Sequence, residues 1–319
     1  MLMLLTLLAD GAFHSGQVLG EALGVSRSAV WKQLQLLEAE LGIEVHKVRG
    51  RGYRLATPIS LLDASAITRS GLPSNWSAKT YDSVDSTNAE AARLIAGGCD
   101  VPMLVLAERQ TSGRGRRGRK WVSPFADNIY YSLILRIDGG MRQLEGLSLM
   151  VGLAVMNVLR DVGVTKAGLK WPNDVLVGRR KIAGILLELI GDPADVCHVI
   201  IGVGINVNMQ ASAEVDQSWT SVRLETGQLS DRNHLAVRLS EKLESFLEVH
   251  RQEGFVAFQK DWEAGHLWQG AAVTLLSGAQ AINGTVLGID ALGALRLEVD
   301  GVEKSFSGGE LSLRLRDDS

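Results

Sequence analysis

The chain has 319 residues, 46% hydrophobic and 22% charged, a composition that argues against disorder or a collagen-like repeat. At roughly 150 residues per domain, that length implies two or three domains. Lys+Arg number 33 and Asp+Glu 36, so the formal charge of −3 excludes a uniformly basic surface and confines any nucleic-acid function to a local patch.

The apolar stretch from Met1 to Ala9 is too short to span a bilayer and lacks the basic start and cleavage site of a signal peptide. It reads as the first helix of a domain, with no membrane partner. Cys99 and Cys197 are far apart and form no CxxC, which argues against disulfides or zinc and fits a cytoplasmic protein. Leu4, Leu5, Leu7 and Leu8 give a helix that stops near Asp10-Gly11. Val18, Leu19, Ala22 and Leu23 give a second helix, ended by Gly24. Ser26 fits the N-cap of a third, running to about Glu40, in which Val30, Leu34, Leu37 and Leu41 form a buried stripe. Arg27, Ser28, Trp31, Lys32 and Gln35 fall on another face.

Residues Val45 to Leu55 read as a β-hairpin with Arg49 and Arg51 at a basic, glycine-containing tip. Three helices and a basic hairpin predict a winged helix-turn-helix over residues 1–57, with the third helix in the major groove and the tip on phosphates or in the minor groove. A packing or dimerisation module is the competing reading, since this segment carries six Lys/Arg against five Asp/Glu. That weak charge favours binding as a dimer.

Pro58 marks a boundary, and Ile59–Asp63 reads as a linker. Over residues 64–268, helices are predicted at Ala64–Ser70, Thr87–Ala96, Gln143–Val162 and Arg232–His250. Strands are predicted at Met103–Ala107, Asn128–Ile137, Gly168–Trp171, Lys181–Ile190 and Val196–Val207. This is an α+β domain around a mixed or mainly antiparallel sheet. Residues 269–319 read as a small β-barrel, with strands at Ala272–Leu276, Thr285–Ile289, Leu295–Val299 and Leu311–Leu315.

From Arg109 to Lys120 there are six basic residues and no acid. Gly113, Gly115 and Gly118 form a GxGxxG, and Asp138 lies about 20 residues on, as in a dinucleotide fold. No helix is predicted after the glycines, so a pyrophosphate would lack its helix N-terminus and that reading fails. An arginine-lined phosphate loop, mobile until a ligand orders it, competes with a solvated basic loop or RNA patch.

Lys170-Trp171-Pro172-Asn173-Asp174 ends one strand at a turn, and Lys181 opens the next. Lys181 is either a snorkelling edge residue or a buried cation placed for an anion. Asp174 is either a turn residue or a carboxylate near magnesium or an ammonium. Gly202 and Gly204 interrupt a buried strand and permit close approach. Thr87 and Glu90 fit a capping box, which accounts for Thr87 unless a small polar ligand uses its hydroxyl.

Taken together, Ser86-Thr87-Asn88, Gln110 ahead of GRGRRGRKW, then KWPND, RRKIAGIL and GVGINVN resemble the biotin–protein ligases. With its winged helix the chain resembles the bifunctional form, both ligase and biotin operon repressor. The resemblance covers nearly the whole chain. It implies a central domain like the class II synthetases and an SH3-like C-terminal barrel. It implies ATP-dependent activation of biotin to biotinyl-5′-adenylate, then transfer to a lysine of the biotin carboxyl carrier domain of acetyl-CoA carboxylase. It also implies Mg2+ and a homodimer that binds operator DNA.

By the same resemblance, Ser86, Thr87 and Gln110 contact the biotin head. Arg114, Gly115 and Arg116 enclose the acyl phosphate, and Lys181 bridges carboxylate and phosphate. Trp121 covers the adenine, Asp174 helps place magnesium or the incoming amine, and Asn88, Gly184, Gly204 and Asn206 complete the site. Lipoate–protein ligase and a ligand-sensing repressor without catalysis are the alternatives.

Overall fold

The computed structural model describes residues 2–137, 140–192, 197–278, 280–308 and 310–316. Asp138 and Val196, which figured in the sequence reading, lie outside these described residues.

The N-terminal unit contains α1 (Leu2–Leu8), α2 (Gly16–Leu23), α3 (Arg27–Leu41) and the hairpin β1 (Val45–Val48) and β2 (Gly52–Leu55). Ser15 caps α2 by accepting from the Val18 N–H at 3.1 Å, and Ser26 caps α3 by accepting from Ala29 at 3.2 Å. The loop before α2 joins the hairpin as a short third rung: His14 and Tyr53 exchange both backbone bonds at 2.8 Å. The apolar stripe Val30, Leu34 and Leu37 packs with Leu4, Leu5, Leu8 and Leu19. Phe125 and Ala126 of the central unit complete that core.

Ile59–Asp63 joins the units but is fastened down. Arg232 is fully buried and donates to the Ser60 carbonyl at 2.7 Å and the Asn128 carbonyl at 2.9 Å. It also pairs with Glu108, itself buried, which accepts from the Leu62 N–H at 2.6 Å. A buried guanidinium must be paired in this way or it would cost several kcal/mol.

The central sheet has seven strands in the order β3-β4-β5-β9-β8-β7-β6. These are β3 (Ser77–Tyr81), β4 (Met103–Ala107), β5 (Ile129–Ile137), β6 (Ala167–Lys170), β7 (Asp174–Val177), β8 (Arg180–Gly191) and β9 (Cys197–Ile205). Among the described strands only β3 and β4 pair in parallel, so the sheet is mixed and mainly antiparallel. The helices are α4 (Ala64–Arg69), α5 (Thr87–Ala96), α6 (Leu147–Asp161), α7 (Val222–Thr226), α8 (Arg232–Glu253) and α9 (Val256–Gly265). On one face α6 and α8 cover Leu104, Leu106 and Leu133; on the other α5 covers Met103, Val105 and Ile134. Both faces are therefore covered at β4, which reads as an unbroken apolar run.

The C-terminal unit is a five-stranded, wholly antiparallel sheet in the order β13-β12-β11-β10-β14. Its strands are β10 (Ala272–Ser277), β11 (Gln280–Ile289), β12 (Leu295–Val299), β13 (Val302–Phe306) and β14 (Leu311–Leu315). Among the described residues β13 and β14 are edge strands with no pairing to each other. Val273, Leu275, Val286 and Leu313 continue the central core.

Several sequence expectations need correction. Asp174 opens β7 rather than ending a strand, and the four residues to Val177 pair with both neighbours. Gly202 and Gly204 do not interrupt β9, which runs unbroken between β5 and β8. The helix expected at Gln143–Val162 begins as a 3-10 turn, Met141–Leu144, and α6 starts only after Gly146. Strands β3 and β13 are largely half-buried or exposed, so they lack the apolar runs that marked the others. The short α7 and the polar α9 were not read from the sequence at all.

Candidate active site

The site lies over the paired strands β8 and β9, where Gly184 faces Gly204 and Leu186 faces Gly202. The glycines clear a trough. A Cβ on Gly204 would lie 2.4 Å from the Trp121 ring, and one on Gly202 would lie 2.5 Å from Asn88 Oδ1. Close approach was the expected use of these glycines, and the groups that approach are an indole and an amide from this chain.

At the N-terminus of α5, Ser86 is the N-cap but makes no side-chain capping bond. The expected capping box is not formed. Thr87 instead donates its N–H and its hydroxyl to Gln110 Oε1, at 2.9 and 3.2 Å. Glu90 pairs with Arg93 at 2.7 Å, and Arg93 also holds Asp85, whose carboxyl is lowered to about 2 chiefly by that bond. Gln110 donates to Ser123 at 3.0 Å, and Ser123 to the Trp121 carbonyl at 2.9 Å. On β5, the buried Ser132 hydroxyl lies 2.8 Å from Thr87 Oγ1 and 2.6 Å from Asn88 Oδ1. Two hydroxyl protons thus serve three oxygen–oxygen contacts, which leaves lone pairs suited to the N–H groups of a ligand.

The arginine loop turns back on itself. Trp121 N–H donates to the Gly113 carbonyl at 2.8 Å, and Gly115 N–H to the Arg119 carbonyl at 2.7 Å. A single 3-10 turn, Arg116–Gly118, is the only helical geometry described in the loop. Arg116 donates to Asn173 Oδ1 at 2.9 Å, and Lys120 pairs with Glu214 at 2.9 Å. Burial lowers the Arg116 pKa, yet a guanidinium keeps its proton.

Two adjoining cavities result. The smaller, about 60 Å³, is lined by Ser86, Thr87, Asn88, Gln110, Arg114, Gly115, Arg116, Trp121, Lys181, Gly184 and Gly204. The larger, about 280 Å³, takes Asp174 and Asn206 together with Lys170, Arg119 and Lys120. Gly115, Arg116, Trp121, Asn173 and Lys181 belong to both. One therefore suits a compact polar group and the other a larger polyanion. Cations stand on their common wall.

Lys181 Nζ lies 2.6 Å from Asp174 Oδ1, and Lys170 Nζ lies 3.5 Å from Oδ2. Burial pushes the Asp174 carboxyl up, but the two ammonium groups together outweigh it, and the net shift is downward. Burial lowers Lys170, with Asp174 opposing. Lys181 also stands 5.4 Å over the Trp121 ring. With both oxygens turned to lysines, Asp174 does not fit as a direct metal ligand. Among the described residues no cluster of three His, Cys, Asp or Glu could hold one.

Arg27, Ser28, Trp31, Lys32 and Gln35 are all exposed on α3, and Arg49 and Arg51 are exposed at the hairpin tip. The Arg51 and Arg54 guanidiniums stand 4.5 and 4.8 Å from the Phe13 ring, a pairing the sequence reading missed. It also gave no role to Lys170, Asn173, Ser132 or Glu188. A lone serine in Ile129–Ile137 and a lone glutamate in Ile185–Ile190 were the available signals.

Residues 82–206 match the biotin/lipoate A/B protein ligase family, residues 1–54 a helix-turn-helix domain, and residues 270–314 the biotin protein ligase C-terminal domain. The bifunctional ligase/repressor BirA of Salmonella typhimurium is 44% identical, over 98% of this chain and 97% of its own. The bifunctional ligase/repressor BirA of Bacillus subtilis is 35% identical over 94% of each. Among solved structures, the Aquifex aeolicus biotin protein ligase in complex with biotin and ATP is 31% identical, with a TM-score of 0.66. It covers 75% of this chain and 98% of that one. The chain belongs to the biotin protein ligase family, in its bifunctional ligase/repressor form.

Proposed function

We propose that the protein joins biotin to ATP as biotinyl-5′-adenylate and passes the biotinyl group to a lysine of a biotin carboxyl carrier domain, that of acetyl-CoA carboxylase. The observation that carries this reading is the shared wall of Arg116, Trp121 and Lys181 between a small polar cavity and a larger basic one. Biotin fits the first by its ureido N–H groups, with Ser86, Thr87, Asn88 and Gln110 as partners, beside the Trp121 ring that Gly184 and Gly204 leave room for. ATP fits the second, with Trp121 against the base and Asn206 at the far side.

In the first step a biotin carboxylate oxygen attacks the α-phosphorus. The bond to the bridging oxygen breaks, and pyrophosphate leaves. Both reactants are anions, so Arg114, Arg116 and Lys181 offset their repulsion and stabilise charge in the transition state. Gly115 lets the loop backbone approach the phosphate. In the second step a neutral lysine amine attacks the acyl carbon, the carbon–oxygen bond to phosphate breaks, AMP leaves, and the proton lost by the amine passes to solvent. Once Lys181 turns to the bound phosphate, the Asp174 oxygen it leaves accepts a hydrogen bond from that amine. Magnesium would supply counter-charge to the triphosphate, without Asp174 as its ligand.

We assign residues 1–57 to operator binding, 64–268 to catalysis and 269–319 to a C-terminal unit beside the nucleotide. Arg27, Ser28, Trp31, Lys32 and Gln35 face the bases, and Arg49 and Arg51 the phosphates. A homodimer formed on adenylate binding is the repressing species. Among the described residues no helix is long and apolar enough to cross a membrane, which is compatible with a cytoplasmic enzyme.

Protein, ATP and magnesium mixed with biotin or with lipoate, followed by mass spectrometry, test the reading. Biotinyl-adenylate is expected. Lipoyl-adenylate alone would move the assignment to lipoate, and no adenylate would leave a ligand-sensing repressor. Operator affinity should rise with biotin plus ATP and fall with salt.

A further inference from the structure

Glu188 stands alone as an acid in the apolar run of β8, and its partners Asn88 and Arg114 both line the smaller cavity. Asn88 fixes it: the amide donates to Oε2 at 2.6 Å. Its other neighbour is Arg114, whose two terminal nitrogens lie 3.4 and 3.5 Å from the two carboxylate oxygens. Those distances are long for a bidentate pair, and both side chains are partly exposed. Glu188 is thus held tightly by a helix and loosely by the loop.

Arg114 also lines the cavity. The other two cations there are differently held: Lys181 is 2.6 Å from Asp174, and Arg116 donates to the neutral Asn173. Arg114 is therefore the cation with a weak anionic partner outside the cavity and access to an anion within it.

We infer that Glu188 is a positioning residue that holds Arg114 at the rim of the empty site and competes with the carboxylate of the incoming ligand for it. The inference rests on the ligase reading and adds a regulator of its substrate affinity. An anion in the cavity takes Arg114 from Glu188, while Asn88 keeps the carboxylate in place for the return. A Glu188→Gln side chain keeps an acceptor for Asn88 but loses the charge.

Calorimetric titration of the full chain with biotin, and with the neutral biotinamide, tests this. In Glu188→Gln the biotin Kd should fall about two- to fivefold, the range for a partly exposed pair. Biotinamide affinity should not change. The gain should vanish in an Arg114→Gln background. Glu188→Ala, which also deprives Asn88 of its acceptor, should weaken both ligands. An unchanged or higher biotin Kd in Glu188→Gln, or an equal shift for biotinamide, overturns the inference while leaving the ligase reading intact. Wild-type protein that binds neither ligand overturns both.

Discussion

The Lys181 ammonium and the Asp174 carboxylate meet at 2.6 Å across the neighbouring strands β8 and β7, and Lys170 holds the other carboxylate oxygen. Asp174 keeps one lysine if the other is removed. Lys181→Ala should therefore spare the fold and damage the chemistry. A unit pair at 4 Å is worth about 4 kcal/mol at an effective dielectric of about 20, so biotin-dependent ATP–pyrophosphate exchange should drop roughly a hundred- to thousandfold. Near-normal exchange would remove Lys181 from the mechanism.

Gly204→Ala places a methyl group where the Trp121 ring now lies, 2.4 Å away. The indole is rigid, so it must leave the trough. Overpacking of this kind costs about 1–3 kcal/mol, read by urea unfolding. Biotin and ATP affinities should both weaken. Adding Trp121→Ala should restore stability but not ATP affinity; a stable Gly204→Ala protein with full activity contradicts this picture.

Arg232 and Glu108 are 0% and 3% exposed. Arg232→Met strands a buried carboxylate and leaves the Ser60 and Asn128 carbonyls without their donor. We expect a loss of roughly 3–5 kcal/mol in urea unfolding. Faster proteolysis between residues 57 and 63 should accompany it. Glu108→Gln in the same chain should recover part of the stability. Additive losses in the double variant would show that the two do not act as a pair.

His266 packs against Trp262 with ring centroids 4.8 Å apart, and burial pushes its imidazole down to about 4. Its ordinary pKa is about 6.5, so as pH falls the unfolded chain takes up a proton before the folded chain does. Stability is then complete above about 6.5 and declines toward 4, by roughly 3 kcal/mol in all. His266→Leu should flatten that slope in denaturant titrations at pH 7, 5.5 and 4.5. A variant with the wild-type slope would assign the acid sensitivity elsewhere.

Much of this was legible in the residues. Capping serines, the α3 stripe and the fully apolar β4 each follow a local rule, and Met103–Ala107 and Thr87–Ala96 were placed at their observed bounds. The motifs marked the residues around the smaller cavity because close-packed, charged sites restrict residue type strongly. What local pattern did not carry was partnership. Thr87 satisfies a capping box in sequence, yet its proton goes to Gln110, 23 positions away. Arg232 opens a helix like any first-turn residue, but its partners come from the linker, the residue after β4 and the residue before β5. Strand β7 is four residues between two turns, too short for periodicity to register.

Trp171 is 1% exposed and donates its indole N–H to the Gly293 carbonyl at 3.1 Å. That bond ties the turn between Lys170 and Asp174 to the sheet of β10–β14, whose inner residues share one core with the central helices. The last fifty residues are therefore not a detachable cassette. A chain cut near residue 269 would uncover Trp171 and unfasten the turn that carries its own lysine–aspartate–lysine triad, so its activity should fall before any partner was missed.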